Sequence, residues 1–216
     1  MAGSERRSTR WGTETPATDN DARERLLAAA DRCYAQRGVT RTRIDHIAEA
    51  AGVHRTTVYS YFPNKNALVS ASFVRSARSI LETAKDYFQT DEPFIEQLVA
   101  ATLYSLDATR ESPAMAMLLG GDAAGVTVHA ATVSAEWHAL ARETLGPPLT
   151  RAVVDGHVRS DVPVESILRW IWRVSFSLAA EPGGSEDGGD EGVLRRFLVA
   201  SVASSSGGGD DRTALS

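Results

Sequence analysis

His54, Arg55, Thr56, Thr57, Tyr59 and Tyr61 fall within eight consecutive positions, and every one carries a hydrogen-bond donor. Presented together on a short helix, such side chains suit the surface of duplex DNA. Guanidinium and hydroxyl groups meet phosphate oxygens, and the same groups read base edges where they reach the groove. Arg55 fits either a guanine edge or a phosphate, and the residue alone does not choose. Thr56 and Thr57 can donate to phosphate or touch a thymine methyl. Tyr59 and Tyr61 carry phosphate-binding phenols, Tyr61 with part of its ring buried, and His54 fits more than one role. Lys65, just beyond, has the charge and reach for a phosphate. Thr42 and Arg43 stand where a preceding helix begins, and the free N–H groups of a helix N-terminus attract an anion.

The stretch from Thr42 to Lys65 has the pattern needed to hold these groups in place. Read as helix, turn, helix, it places Ile44, Ile47, Ala48, Ala51, Val53, Val58 and Tyr61 on a shared inner face. Ala48 is small where the second helix, His54 to Tyr61, must pass close by. Gly52 supplies the turn, since a residue without a side chain enters the left-handed region at no steric cost. Thr42 is expected to cap the first helix. A plain helical corner inside an all-helical core would show a Glu/Lys mixture outside; here the outer face is donor-rich and basic. Such a unit matches the docking geometry of a recognition helix in the major groove.

The set Gly38, Thr42, Ile44, Ile47-Ala48, Ala51-Gly52-Val53, Val58-Tyr59, Phe62, Lys65 and Leu68 resembles the DNA-binding head of the tetracycline-repressor (TetR) family, over about the first third of the chain. The resemblance implies an all-helical, two-fold dimer with a small DNA head and a larger ligand-sensing body. It further implies that ligand binding changes the separation of the two recognition helices. Thr56 stands where many members carry Gly or Pro, and Asn66 where Glu is frequent; both leave the packing positions intact and bear on the operator sequence.

Composition sets bounds on this reading. The 216 residues are 43% hydrophobic and 24% charged, as in an ordinary globular protein. No apolar run approaches the roughly 18 residues needed to span a bilayer, and Arg6, Arg7 and Arg10 precede no apolar stretch of a secretory signal. The expectation is a cytoplasmic protein with no membrane partner. The single cysteine, Cys33, excludes an internal disulfide framework and any multi-cysteine metal site. The net charge of −5 is unevenly spread. Residues 1–66 hold 11 Lys/Arg against 8 Asp/Glu, a net of +3; the rest hold 12 against 20, a net of −8. A basic head on an acidic body fits an interface confined to one end.

Along the chain, 1–20 reads as a disordered arm, whose arginines could add weak phosphate or minor-groove contact. Asp19, Asn20 and Asp21 offer caps for a first helix to about Arg37, with Cys33 in its buried stripe and Gly38 as its stop. Residues 21–66 form the DNA-binding domain and 67–204 the ligand-binding and dimerisation domain, with a disordered tail over 205–216. Asn64 caps a long helix, about Lys65 to Phe88. Others follow over about Pro93–Arg110, from Pro113, over Val126–Glu143 and over Val164–Ala180, with Gly146-Pro147-Pro148 breaking or kinking the third of these before it continues through Val154. Pro182–Gly192 reads as a flexible connection to a last helix near Val193–Ala203. The helix over 164–180 is apolar on two faces and so must be covered twice. With the last helix it would form a four-helix interface between two copies, as the resemblance implies.

Tyr104, Met115, Met117, Trp137, His138 and Phe176 are candidate lining residues for a small apolar ligand, since methionines and aromatics shape adaptable cavities. The same residues serve equally as core. The five histidines are scattered, and no nucleophile elbow, phosphate loop or HExxH pattern is present. His129 and His138 with Glu136 or Glu143 are the one conceivable metal set. No catalytic residue, metal or cofactor is expected, and a helical enzyme is a remote third reading. The expectation is an all-α, homodimeric, sequence-specific regulator that binds a double-stranded operator as a repressor released by ligand. The alternative is an activator or a ligand-independent regulator of the same fold.

Overall fold

The structure, a computed structural model, describes Trp11 and residues 16–204. Helices α1 (Asp19–Arg37), α2 (Ile44–Ala51), α3 (Arg55–Tyr61) and α4 (Lys65–Ala84) come first, and a 3-10 turn over Lys85–Gln89 extends the last of them. They are followed by α5 (Phe94–Glu111), α6 (Pro113–Leu119), α7 (Ala123–Thr132), α8 (Ala135–Val154) and α9 (Val164–Ala180). A 3-10 turn, Ser185–Asp187, leads into a terminal helical run: α10 (Gly189–Val193), a π-helical stretch (Leu194–Val199) and α11 (Ala200–Val202). Among the described residues the fold is all-α, and the only pairing of extended backbone is one isolated antiparallel bridge, Val158 with Ala203. No single helix among them is long and apolar enough to cross a membrane.

The chain condenses into two compact units. The first holds residues 1–81 and 107–140, so the N-terminal helices share a unit with α6 and α7; the second holds 82–106 and 141–216. In the first unit α1 buries Leu26, Leu27, Ala30, Cys33 and Tyr34, and α1 packs on α2 and α6. Cys33 takes the role of a small buried hydrophobe, its thiol pushed up by burial and directed at the His46 carbonyl at 3.5 Å. Arg75 of α4 reaches back to Glu24 and Asp31 of α1. The indole of Trp137, at the start of α8, meets the Phe73 ring edge-on at 5.0 Å. Between α6 and α7 the direction changes by 93° at Gly120-Gly121, where Gly121 takes a positive φ.

The core of the second unit includes Leu98 of α5, Leu145 and Leu149 of α8, Ile167, Leu168 and Ile171 of α9, and Leu194 and Leu198 of the terminal run. Arg195 joins the terminal run to α5 through a two-pronged contact with Glu96, at 3.0 and 2.8 Å. Arg159 N–H donates to the Val202 carbonyl and Ser204 N–H to the His157 carbonyl, fastening the turn before α9 to the end of that run.

Several local expectations are corrected. The cap of α1 is Thr18, whose hydroxyl accepts from Asp21 N while Asp21 returns a carboxylate to Thr18 N, both at 3.0 Å. Thr42 does not cap α2: Arg43 holds that position, and the buried Thr42 hydroxyl donates to the Gly38 carbonyl at 2.7 Å. The helix expected over 126–143 is two, because Ser134 accepts from Trp137 N and starts α8 afresh. Gly146-Pro147-Pro148 does not break α8, which runs through all three to Val154, the expected continuation. Gly146 lacks the Cβ that would press on the following proline ring, and Leu145, Leu149 and Ala152 anchor both sides in the core. The segment from Pro182 is partly ordered: Asp190 accepts from Gly183 N at 2.8 Å, and helix begins at Gly189. Trp11 falls inside the expected disordered arm, yet it is buried against Tyr61. Arg6, Arg7, Arg10 and residues 205–216 lie outside the described residues.

Candidate nucleic-acid interface

The turn between α2 and α3 is a Schellman closure: Val53 N–H reaches the Ala48 carbonyl and Gly52 N–H the Glu49 carbonyl, both at 3.0 Å, with Gly52 at φ +69°. Two further α2 carbonyls are taken by α1, Ala51 by Arg25 at 3.1 Å and Ala50 by Arg32 at 3.0 Å. A helix of only eight residues is thus tied at its C-terminal end to the longer helix beside it.

On that platform α3 turns Val58 and Thr57 inward and leaves His54, Arg55, Thr56 and Tyr59 exposed, Tyr59 at 45%. The His54 imidazole lies 3.3 Å from the Thr56 hydroxyl, and Arg55 stands 3.9 Å from Asp45 with both side chains in solvent. That loose pair leaves the guanidinium free to change partner at low cost. Lys65 is half-buried, donates to the Thr40 carbonyl at 2.8 Å, and has its ammonium pKa lowered by desolvation. Arg43 is exposed at the start of α2, its guanidinium 3.3 Å from His46.

Two residues with expected outward roles are placed otherwise, and a third, Tyr61, is partly buried as expected. Thr57 is 1% exposed, because it sits on the inner side of α3 beside Val58. Thr42 is buried under the loop that its hydroxyl closes. Tyr61 is half-buried, its ring edge-on to Trp11 at 5.9 Å and its hydroxyl donating to Asp19 at 3.4 Å. These three hold the platform together, and the outward face is His54, Arg55, Thr56 and Tyr59 with Arg43 and Lys65 at its edge.

Sequence reasoning missed Arg23. Its guanidinium lies over the Phe62 ring at 4.6 Å, donates to the Tyr61 carbonyl at 3.2 Å, and pairs with Glu136 of α8 at 2.8 Å. It therefore grips the end of α3 from a helix on which it looked like an ordinary surface charge. Only its place just after an acidic capping segment distinguished it in the sequence, and that is no signal.

A family model described as "Bacterial regulatory proteins, tetR family" matches residues 26–71, which span most of α1 through the first turns of α4. The head of this chain is that of a TetR-family transcriptional regulator. An HTH-type transcriptional regulator of Mycobacterium tuberculosis, itself of uncharacterised function, is 29% identical over 189 residues, covering 84% of this chain and 85% of that one. The HTH-type transcriptional repressor KstR2 of Rhodococcus jostii is 27% identical over 186 residues, covering 80% and 88%. Among solved structures RolR, in complex with resorcinol, superposes with a TM-score of 0.60 at 16% identity, covering 86% of this chain and 89% of that one. That last likeness is one of fold.

The six candidate lining residues divide between the units. Met115 and Trp137 are buried in the first unit, with Met117 and His138 half-buried beside them in sequence; His138 directs Nε2 at the Thr132 carbonyl, 2.8 Å away. Tyr104 and Phe176 are half-buried in the second, Tyr104 tilted against Tyr87 at 5.4 Å. His129 is exposed, and no group of three or more His, Cys, Asp or Glu among the described residues is placed to hold a metal ion.

Proposed function

We propose that this TetR-family regulator works as a homodimer in the cytoplasm, as a repressor that leaves its operator when a small apolar ligand binds, and that it has no enzymatic activity. The observation that carries the DNA half of this reading is the α3 surface: the exposed donor side chains of His54, Arg55, Thr56 and Tyr59, on a helix fixed from behind by Arg23, Arg25 and Arg32 through its neighbours. Arg55 reads base edges, Thr56 and Tyr59 meet backbone or thymine, His54 lies at the helix start, and Arg43 and Lys65 anchor phosphates to either side. Residues 21–66 serve as the DNA head and 67–204 as the sensing and pairing body. Two heads would meet successive major grooves when their recognition helices stand about 34–36 Å apart.

The ligand half is supported by the resorcinol complex of RolR and by the methionine and aromatic content of α6, α8 and α9. Tyr104, Met115, Met117, Trp137, His138 and Phe176 are the proposed lining. A ligand that favours another head spacing releases DNA by shifting the population of conformers. Repression is supported by the repressor named among the relatives.

The test is selection of duplexes from a random pool with the full-length protein, followed by titration on matched and scrambled sequences. The expected result is a two-fold symmetric site with its half-site centres one turn apart and a salt-sensitive preference for it. A protein with no such preference for any duplex would end the reading. For the ligand, thermal-shift titration with resorcinol-like phenols and acyl-CoA thioesters is expected to give a concentration-dependent rise in melting temperature that weakens operator binding.

A further inference from the structure

We propose that a depression outside α3, between the end of α1 and the start of α2, takes a phosphodiester of the DNA backbone, so that each head grips the duplex at a second place. The inference rests on the reading of this chain as a DNA-binding regulator and adds residues to it. The depression has a volume of about 300 Å³ and is lined by Gln36, Arg37, Arg41 and His46. It thus offers two guanidinium groups, an imidazole and a carboxamide, and no carboxylate. Among the described residues no acidic side chain lies within ion-pair distance of Arg37, Arg41 or Arg43, although the chain as a whole carries a net charge of −5. A cluster of unpaired cations on an acidic protein is what a polyanion would neutralise.

The hydrogen bonding sharpens the point. Arg41 uses Nε on the Arg37 carbonyl at 2.9 Å, which fixes its side chain and leaves both terminal nitrogens for another acceptor. His46 Nδ1 accepts from Arg43 N at 3.2 Å, an arrangement that puts the ring proton on Nε2. The Arg43 guanidinium stands 3.3 Å from that same Nε2. Both groups are then donors side by side, and an anionic oxygen between them would accept from both.

Continuity with the α3 surface selects DNA as the source of that oxygen. Asp45, next to His46, is the loose partner of Arg55, and Thr40, next to Arg41, accepts from Lys65. The depression therefore adjoins the proposed phosphate anchor Arg43, which touches its lining residue His46. In helix-turn-helix proteins the first helix of the pair crosses the sugar-phosphate backbone, and here that helix is α2, whose first turn forms one wall.

The experiment uses the full-length protein and a duplex it has itself selected. Operator affinity is measured against salt for the natural chain, for Arg37→Gln with Arg41→Gln, for Arg37→Lys with Arg41→Lys, and for Arg55→Ala. The glutamine pair is expected to lower the slope of log affinity against log salt by about 0.9 for each phosphate left without its cation, and to weaken matched and scrambled duplexes alike. The lysine pair is expected to restore the slope, which separates charge from any effect on folding. An unchanged slope in a folded glutamine pair, with the natural chain binding normally, would overturn the second grip while leaving the α3 reading intact. Failure of the natural chain to prefer any duplex would remove both. Binding of inorganic phosphate to the natural chain but not to the glutamine pair, with operator affinity and its salt slope the same in both and unaffected by phosphate at constant ionic strength, would make the depression a free-anion site and overturn the assignment to DNA.

Discussion

Thr57 and Tyr59 lie two positions apart on α3 and meet opposite environments, one sealed in the head and one facing solvent. At about 100° per residue, Thr57 falls about 40° from Tyr61 and about 100° from Val58, whereas Arg55, Thr56, Tyr59 and Ser60 occupy the opposite arc. The burial of Thr57 was therefore legible from spacing; treating polarity as exposure concealed it. Its hydroxyl is buried with no hydrogen-bond partner among the described residues. Thr57→Val removes that unpaired group at nearly constant volume, and the expected outcome is a stability gain of about 1 kcal/mol in denaturant titration with operator affinity unchanged. Lys65→Ala is expected to weaken binding to every duplex by a similar factor, since a phosphate contact carries no sequence information. Arg55→Ala should in addition narrow the gap between matched and scrambled sites. Equal loss on both duplexes for Arg55→Ala would make that arginine a phosphate anchor.

At the scale of elements, the sequence showed which segments are helical better than where they join. Periodic apolar positions mark α1, α4, α5 and α9 plainly, because each must bury a stripe on its neighbours. Gly146-Pro147-Pro148 misled because local propensity opposes helix there, and the core packing of Leu145 and Leu149 prevails. Long-range ties were invisible, and Arg23 is the sharpest case, since it joins α1, the end of α3 and the start of α8 across 113 positions of chain. Arg23→Ala loses a carbonyl donor, a cation over Phe62 and an exposed ion pair, and together these predict about 1–2 kcal/mol of destabilisation with weaker operator binding. Glu136→Gln, which breaks only the exposed pair, should cost under about 1 kcal/mol. In the second unit the fork from Arg195 holds the Glu96 carboxyl below its ordinary value of 4.5. A carboxylate with a lowered folded pKa adds stability that is fully present above the unfolded value and lost as pH falls through the folded one. Glu96→Gln should therefore lower stability at neutral pH and flatten its decline below about pH 4.5, followed by thermal melts across pH.

Among the described residues, α9 and the terminal run leave large apolar side chains exposed. Trp170 on α9 is 44% exposed and Phe197 on the terminal run 58%, although Leu194 and Leu198 on that run and Ile167 and Ile171 on α9 are fully or nearly enclosed. The two elements are joined at this surface, with Trp170 Nε1 donating to the Ser201 hydroxyl at 2.7 Å, so both aromatics ride on one braced face. A second copy presenting the same face would make an isologous four-helix contact, and aromatics at its centre are the residues expected to dominate its energy. An operator with two half-sites then gains from having both heads on one body, an advantage of about 10²–10⁴ in affinity without any new contact to DNA. In the proposed homodimer, Phe197→Glu would place two like charges where the copies meet. The expected outcome is a monomer in sedimentation equilibrium at micromolar concentration, with operator affinity reduced by that factor and helical content unchanged. The single heads should still bind an isolated half-site as the natural chain does, because α3 and its supports belong to the other unit. A Phe197→Glu protein that stays dimeric and holds the full operator would place the pairing surface elsewhere and leave the exposed aromatics of α9 and the terminal run without this role.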